Sequence, residues 1–155
     1  MSGPEGEWDA EFKPHRMSLI AYGVAASIAV IGVVVAVINN EASGAYLRPT
    51  DQVAMGAIAL LLAGGVLLFT RPRLKVGPSG LAVRNILEYR VIPWAEVVDF
   101  SFPPGRRWAR VDLAAHEYQP VAAVQLIDRE RAVAAMDTVR DLMDRYRPEA
   151  GEPAH

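Results

Sequence analysis

Two stretches of this chain carry no charged side chain: residues 19–38 and residues 53–70. Nothing else in the sequence limits the fold as strongly. "SLIAYGVAASIAVIGVVVAVI", from Ser18 to Ile38, has only Ser18, Tyr22 and Ser27 as polar handles. As a helix it reaches roughly 30 Å, the thickness of a bilayer's hydrocarbon core. The second run, Val53 to Thr70, has about 18 residues, near the lower limit for crossing. Either run as a core helix of a soluble protein needs apolar material on every side, and a chain of 155 residues has too little for two. The expected arrangement is a hairpin over residues 17–70, with spans at about 18–39 and 53–70 and a loop at 40–52. A cleaved signal fits the first run less well, although Ala42-Ser43-Gly44 before Ala45 has the small-residue pattern of a cleavage site. The apolar stretch is long for that role, and Glu5, Glu7, Asp9 and Glu11 precede it.

The flanking charges give a direction. Lys13 and Arg16 precede the first run, Arg71, Arg73 and Lys75 follow the second, and the loop between has only Arg48. Basic residues near span ends favour the inner side. This predicts a multi-pass plasma-membrane protein with both termini cytoplasmic, residues 1–16 as an N-terminal tail, and Lys13, Arg16, Arg71, Arg73 and Lys75 as interface anchors. Ala21, Ala25 and Ala29 in the first run, and Gly56, Ala59 and Ala63 in the second, form small-residue stripes that let helices approach closely. They suit packing within one hairpin, and also a homo-oligomer. Neither run contains an ionisable residue, which argues against an ion or proton path.

Beyond the second run the chain reads as soluble protein. From Arg71 onward thirteen Lys and Arg face twelve Asp and Glu, and the whole chain has a net charge of −2. That balance lacks the basic excess of a nucleic-acid binder, so no nucleic-acid partner is expected. Cysteine is absent, which excludes disulfides and thiolate chemistry. "GLAVRN" places Leu81 and Val83 on one side of a pleat, and "LEYRVIPW" alternates Leu87, Tyr89 and Val91. "AEVVDFSF" aligns Val98, Phe100 and Phe102; "RWARVDL" aligns Ala109, Val111 and Leu113; "VAAVQLI" closes the series. Period-two alternation between turns predicts an antiparallel meander, with Pro103-Pro104-Gly105-Arg106 as a hairpin connection. The period then lengthens. Asp128 is the expected cap of a helix whose apolar positions are Ala132, Val133, Met136, Val139, Leu142, Met143 and Tyr146. Arg140 with Asp144, and Asp141 with Arg145, are spaced for surface pairs. Pro148 is the expected stop, leaving residues 148–155 as a tail.

"GLAVRN", "EYRVIPWAEVVDFSF", "RWARVDL" and "VAAVQLIDRERAVAAMDTVRDLM" together resemble the bacterial PH-like domain of the low-molecular-weight protein antigen 6 family. These are small actinobacterial proteins, commonly with two membrane spans before the domain. The resemblance covers about residues 71–147. It implies a mainly β, α+β domain: a bent antiparallel barrel capped by a C-terminal helix. It implies no particular activity, since the family is defined mainly by its fold.

Candidate contact residues follow from charge and aromaticity. PH domains that hold phosphoinositides typically carry a basic cluster around the first hairpin. Lys75, Arg84 and Arg90 stand there, without the usual Lys/Arg-x-Arg pair. "PPGRRWAR" sets Arg106, Arg107 and Arg110 around Trp108, a pattern suited to lipid headgroups or to a protein partner. Trp94, in "IPWAEV", reads as a packing residue. No catalytic constellation emerges: His15, His116 and His155 have no metal-ligand spacing, and Ser79 and Ser101 lack a visible base. No phosphate-binding glycine loop appears. The expectation is a protein that is not an enzyme, needs no cofactor or metal, and docks a membrane or cytoplasmic protein at the inner face. Headgroup recognition by Arg84, Arg90, Arg106 and Arg107 is one alternative. A small accessory subunit stabilising an integral membrane complex through its spans is another.

Overall fold

A computed structural model describes residues 8–42, 48–114 and 116–150. Residues 1–7 of the expected tail, 43–47 of the expected loop and 151–155 lie outside these. The chain divides into two units, Met17–Thr70 and a second one made of Met1–Arg16 with Arg71–His155.

The first unit consists of α1 (His15–Ala42), whose first two residues belong to the other unit, and α2 (Pro49–Leu67), which ends in a 3-10 turn at Leu68–Thr70. Both helices are long and apolar enough to cross a membrane. Their side chains are not those of a soluble core: Val33 is 64% exposed and Leu61 is 75% exposed. α2 begins four residues before the apolar run. Pro49 pre-sets the first helical φ, and Asp51 lies in the first turn, where the helix dipole favours an acid. Ala21, Ala25 and Ala63 are buried. At Gly32 an added Cβ would overlap the side chain of Ala59, so the two helices approach each other at this point. Ala29 and Gly56 are only half-buried.

The second unit holds two antiparallel sheets and a helix. The first sheet has the order β1 (Ala10–Phe12), β2 (Arg73–Gly77), β3 (Gly80–Arg84), β4 (Tyr89–Ile92). The second has the order β5 (Val97–Ser101), β6 (Trp108–Leu113), β7 (Tyr118–Gln125). The expected bent barrel is found as two separate sheets: among the described residues no backbone ladder joins them, and side chains bridge them instead. α3 (Glu130–Ala150) packs on the core between them.

β1 and β2 depart most from the sequence reading. Ala10 lies opposite Val76, Glu11 opposite Lys75 and Phe12 opposite Leu74. What reads as a tail is an edge strand, and what reads as an anchoring cluster is a strand with Leu74 and Val76 fully buried. The two helices are therefore inserted between the first and second strands of one sheet. Pro14 and Pro72, beside the two necks of this insertion, are both fully buried.

The core gathers one face of each strand. Leu81, Val83, Ala109, Val111 and Leu113 are buried as alternation predicts. Phe100 is fully buried, which contributes roughly 1.5–3 kcal/mol. In β5 the register shifts between Val97 and Asp99. This bulge turns Val97 and Phe100 inward and leaves Val98 outside, contrary to the simple alternation. The face of Leu87, Tyr89 and Val91 is exposed, and Ile92 supplies the core contact of β4. Trp94 is a packing residue: it is buried, donates to the Gly77 carbonyl at 2.9 Å and stacks on Tyr146. Gly80 has φ +128°, and a Cβ there would strike the Ile92 carbonyl. The turn after β2 thus requires glycine. Pro103-Pro104-Gly105-Arg106 does form the β5–β6 turn, with the Arg106 N–H donating to the Pro103 carbonyl at 3.1 Å and Gly105 at φ +77°.

α3 buries Ala132, Ala135, Met136, Val139, Leu142 and Met143, while Val133 is exposed. Ala135 replaces it because the apolar stripe is rotated from the one first read. The expected pairs Arg140–Asp144 and Asp141–Arg145 form no salt bridge among the described residues; all four are exposed. The helix runs on through Pro148 to Ala150. A proline near a helix end forfeits a hydrogen bond without preventing a last turn.

Asp128 does not cap α3. Arg129 takes φ 41°, which breaks the helical path between Asp128 and Glu130. The Asp128 carboxylate instead accepts the backbone N–H groups of Arg16 at 2.9 Å and His15 at 3.2 Å, in the first turn of α1. Those N–H groups have no partner inside their own helix, and a carboxylate is the natural acceptor there. Asp128→Ala leaves both donors without it and should lower stability by about 1–3 kcal/mol, whereas Asp128→Asn, which keeps one acceptor oxygen, loses less. Denaturant unfolding in detergent measures both.

A second tie joins the N-terminal segment to α3: the Tyr146 hydroxyl donates to the Asp9 carboxylate. That hydrogen bond, then burial, then the Asp9 charge hold the Tyr146 pKa above its ordinary value of 10.0, with Arg145 opposing. A raised folded-state value means that the stabilisation is complete below the unfolded pKa and disappears as pH rises through the folded one. Alkaline unfolding monitored by circular dichroism should show a contribution lost above the ordinary tyrosine range, and Tyr146→Phe should lack that loss.

Candidate interaction surface

The register of the first sheet sorts the predicted cations by face. Arg73 lies opposite Arg84, and Arg84 opposite Tyr89; Lys75 lies opposite Ala82, and Ala82 opposite Val91. Cross-strand partners share a face, so Arg73, Lys75 and Arg84 stand on the outer side with Tyr89 and Val91. Arg90 is opposite Val83 and therefore projects on the other side, where it approaches Glu117 at 4.0 Å. Arg84 and Arg90, grouped in the sequence reading as one headgroup cluster, do not share a face.

The cations expected as interface anchors are in part engaged by carboxylates. Glu11 receives Lys13 and Arg73, each at 3.3 Å. Arg71 is exposed just after the 3-10 turn, and Arg16 contributes its backbone to the Asp128 contact while its side chain is exposed. Exposed pairs of this kind add at most about 1 kcal/mol, so Arg73 and Lys13 keep much of their freedom to meet a charged surface.

Around the second hairpin, Arg106, Arg107 and Trp108 are exposed. Arg110 separates from them: its Nε lies 2.8 Å from Asp112, and its guanidinium lies 5.7 Å from the centre of the Tyr118 ring. Ser101 donates to the same Asp112 at 2.9 Å. Arg110 is thus held by β-sheet neighbours. It borders an open groove of about 390 Å³ that Val98, Asp112, His116, Glu117 and Tyr118 also line. Among the described residues no three His, Asp or Glu side chains are placed to hold a metal.

Polar residues that periodicity does not single out join the two sheets. Asn85, in the turn after β3, donates its amide to the Pro120 carbonyl at 2.9 Å and accepts the Ala122 N–H at 3.1 Å. Buried Gln119 donates to Glu88 at 2.9 Å. Asparagine thus ends "GLAVRN" because its side chain supplies both halves of a backbone-like pair to β7. Nothing in the local pattern signals this, since the partner lies 35 residues away.

The edge strand β4 and the turn before it carry a row of exposed apolar groups. Leu87 is 92% exposed in the turn, followed by Tyr89 and Val91 on the strand. Among the described residues β4 pairs with β3 on one side only, so its other edge has no strand partner there and lies beside apolar side chains.

Residues 71–142 match the bacterial PH domain family. An uncharacterized protein of Mycobacterium bovis and its counterparts in two strains of Mycobacterium tuberculosis are each 53% identical over 150 residues, covering 96% of this chain and 97% of theirs. The chain belongs to one family with these mycobacterial proteins, and its residues 71–142 are similar to the bacterial PH domain. The antigen 6 family in particular remains a resemblance of the motifs quoted above. No solved structure matches. The match to the PH family begins at residue 71 and so omits β1, which is separated from the rest of the domain by the inserted helices. The similarity to the mycobacterial proteins extends across both helices.

Asn85→Ala should loosen the joint between the sheets by about 1–3 kcal/mol, because the Ala122 N–H and Pro120 carbonyl each lose a partner. Hydrogen exchange should rise at Ala122 well before it rises at Val111, in the middle of β6.

Proposed function

We propose that this chain is a non-enzymatic PH-domain module, anchored in the plasma membrane by α1 and α2, which docks a protein partner at the inner face. The pairing of β1 with β2 supports the anchor's topology: both ends of the helical pair return to one sheet and so share a side of the membrane. Lys13, Arg16, Arg71, Arg73 and Lys75, against Arg48 alone in the loop, favour the cytoplasmic side.

The observation that carries the docking role is the exposed row of Leu87, in the turn before β4, and Tyr89 and Val91 on that edge strand. An extended segment of a partner can add to such an edge through backbone hydrogen bonds, with the apolar side chains selecting its sequence. Tethering two molecules to one surface raises their effective concentration, so a modest contact suffices.

A photo-crosslinking residue at Tyr89, in cells, should give a discrete adduct with one partner, and Val91→Asp should abolish it. The same probe at exposed Asp137 on α3 should give none. Equal adducts at both positions would remove the edge-strand assignment. A reporter enzyme active only outside the cell, fused after the last residue, should stay inactive; its activity would overturn the inner-face orientation.

A further inference from the structure

The hairpin between β5 and β6 meets a second exposed segment that the docking role does not use. The Leu126 N–H donates to the Arg107 carbonyl at 2.9 Å, and Trp108 pairs with Gln125. This brings Arg106, Arg107 and Trp108 beside the 3-10 turn Leu126–Asp128 and Arg129. Trp108 is 42% exposed, Leu126 58% and Ile127 41%, and the three arginines are exposed with no salt bridge among the described residues. We propose that Trp108, Leu126 and Ile127 enter the headgroup layer of an anionic bilayer, with Arg106, Arg107 and Arg129 on its phosphates.

Two observations single out a lipid surface as the occupant. The first is charge: an aromatic and two aliphatic side chains flanked by three cations complement anionic headgroups over an apolar interior. The second is a bond to the residues that precede the apolar run. Asp128, the last residue of the same turn, holds the backbone of His15 and Arg16. Arg16 is the last charged residue before the apolar run of α1, which sets the headgroup level for a span. Leu126 lies two residues from Asp128, at most about 7 Å along the chain. The turn is therefore bonded to the residues from which the chain enters α1. This inference rests on reading α1 as a span.

The test uses the full chain reconstituted in vesicles of phosphatidylcholine, with and without phosphatidylglycerol, whose acyl chains are brominated near the headgroup. Tryptophan fluorescence should be quenched in the anionic vesicles, and Trp108→Phe should lose the largest share of that quenching. Arg106→Glu with Arg107→Glu, which keeps Trp108, should lose the same share, as should high salt. Equal quenching of the parent chain and Trp108→Phe would overturn the lipid contact; a patch covered by protein instead would give that result. Alkaline carbonate separates the underlying reading. A chain that resists extraction but shows no Trp108 quenching overturns the lipid contact alone, whereas a chain stripped from the vesicles overturns the span and the contact with it.

Discussion

The pairing of Ala10–Phe12 with Arg73–Gly77 governs this structure. It closes the first sheet with a strand that lies on the far side of two long apolar helices in sequence. Three residues of edge strand are a weak element by themselves. Here they are reinforced by Glu11 between Lys13 and Arg73, by Phe12 against the core, and by Asp9 on Tyr146. The domain thereby holds both ends of its own insertion.

Asp128 extends the same logic. The start of an apolar helix exposes backbone donors that hydrocarbon cannot satisfy and water satisfies only outside it. A carboxylate from the folded domain meets the donors of His15 and Arg16 instead. The conformation that permits it, positive φ at Arg129, is one that non-glycine residues adopt at a cost of about 1–3 kcal/mol. The compensation is a capped α1 and an end to the 3-10 turn that leaves Leu126 and Ile127 exposed. The fold of the domain, the start of α1 and a set of exposed apolar groups thus converge on one short segment.

Much of the domain was legible in one dimension. Alternation located β3, β6 and β7, proline and glycine located the β5–β6 turn, and the helical period located most of the α3 core face, because local geometry alone decides which side chains share a side. The errors have physical causes. The bulge at Val98 breaks alternation with no signal in residue type. The N-terminal strand is too short for a period to register, and its partner's Arg73 and Lys75 also fit the description of a membrane-end cluster. Asn85, Gln119 and Asp128 bond to residues far away in the chain, so their roles are invisible without the fold. The candidate contacts were half legible. Arg106, Arg107 and Trp108 are adjacent in sequence, but Leu126, Ile127 and Arg129 join them only through a β6–β7 ladder.

By itself the sequence determined two long apolar helices, a strand-rich domain after them, and the charge asymmetry at their ends; these follow from composition and from periods of a few residues. Only the tertiary structure decided that residues before the helices and residues after them form one sheet, that Arg84 and Arg90 face opposite ways, and that Asp128 serves α1 rather than α3. Each of these depends on which distant backbone supplies the missing hydrogen-bond partner, and a linear pattern carries no record of that choice.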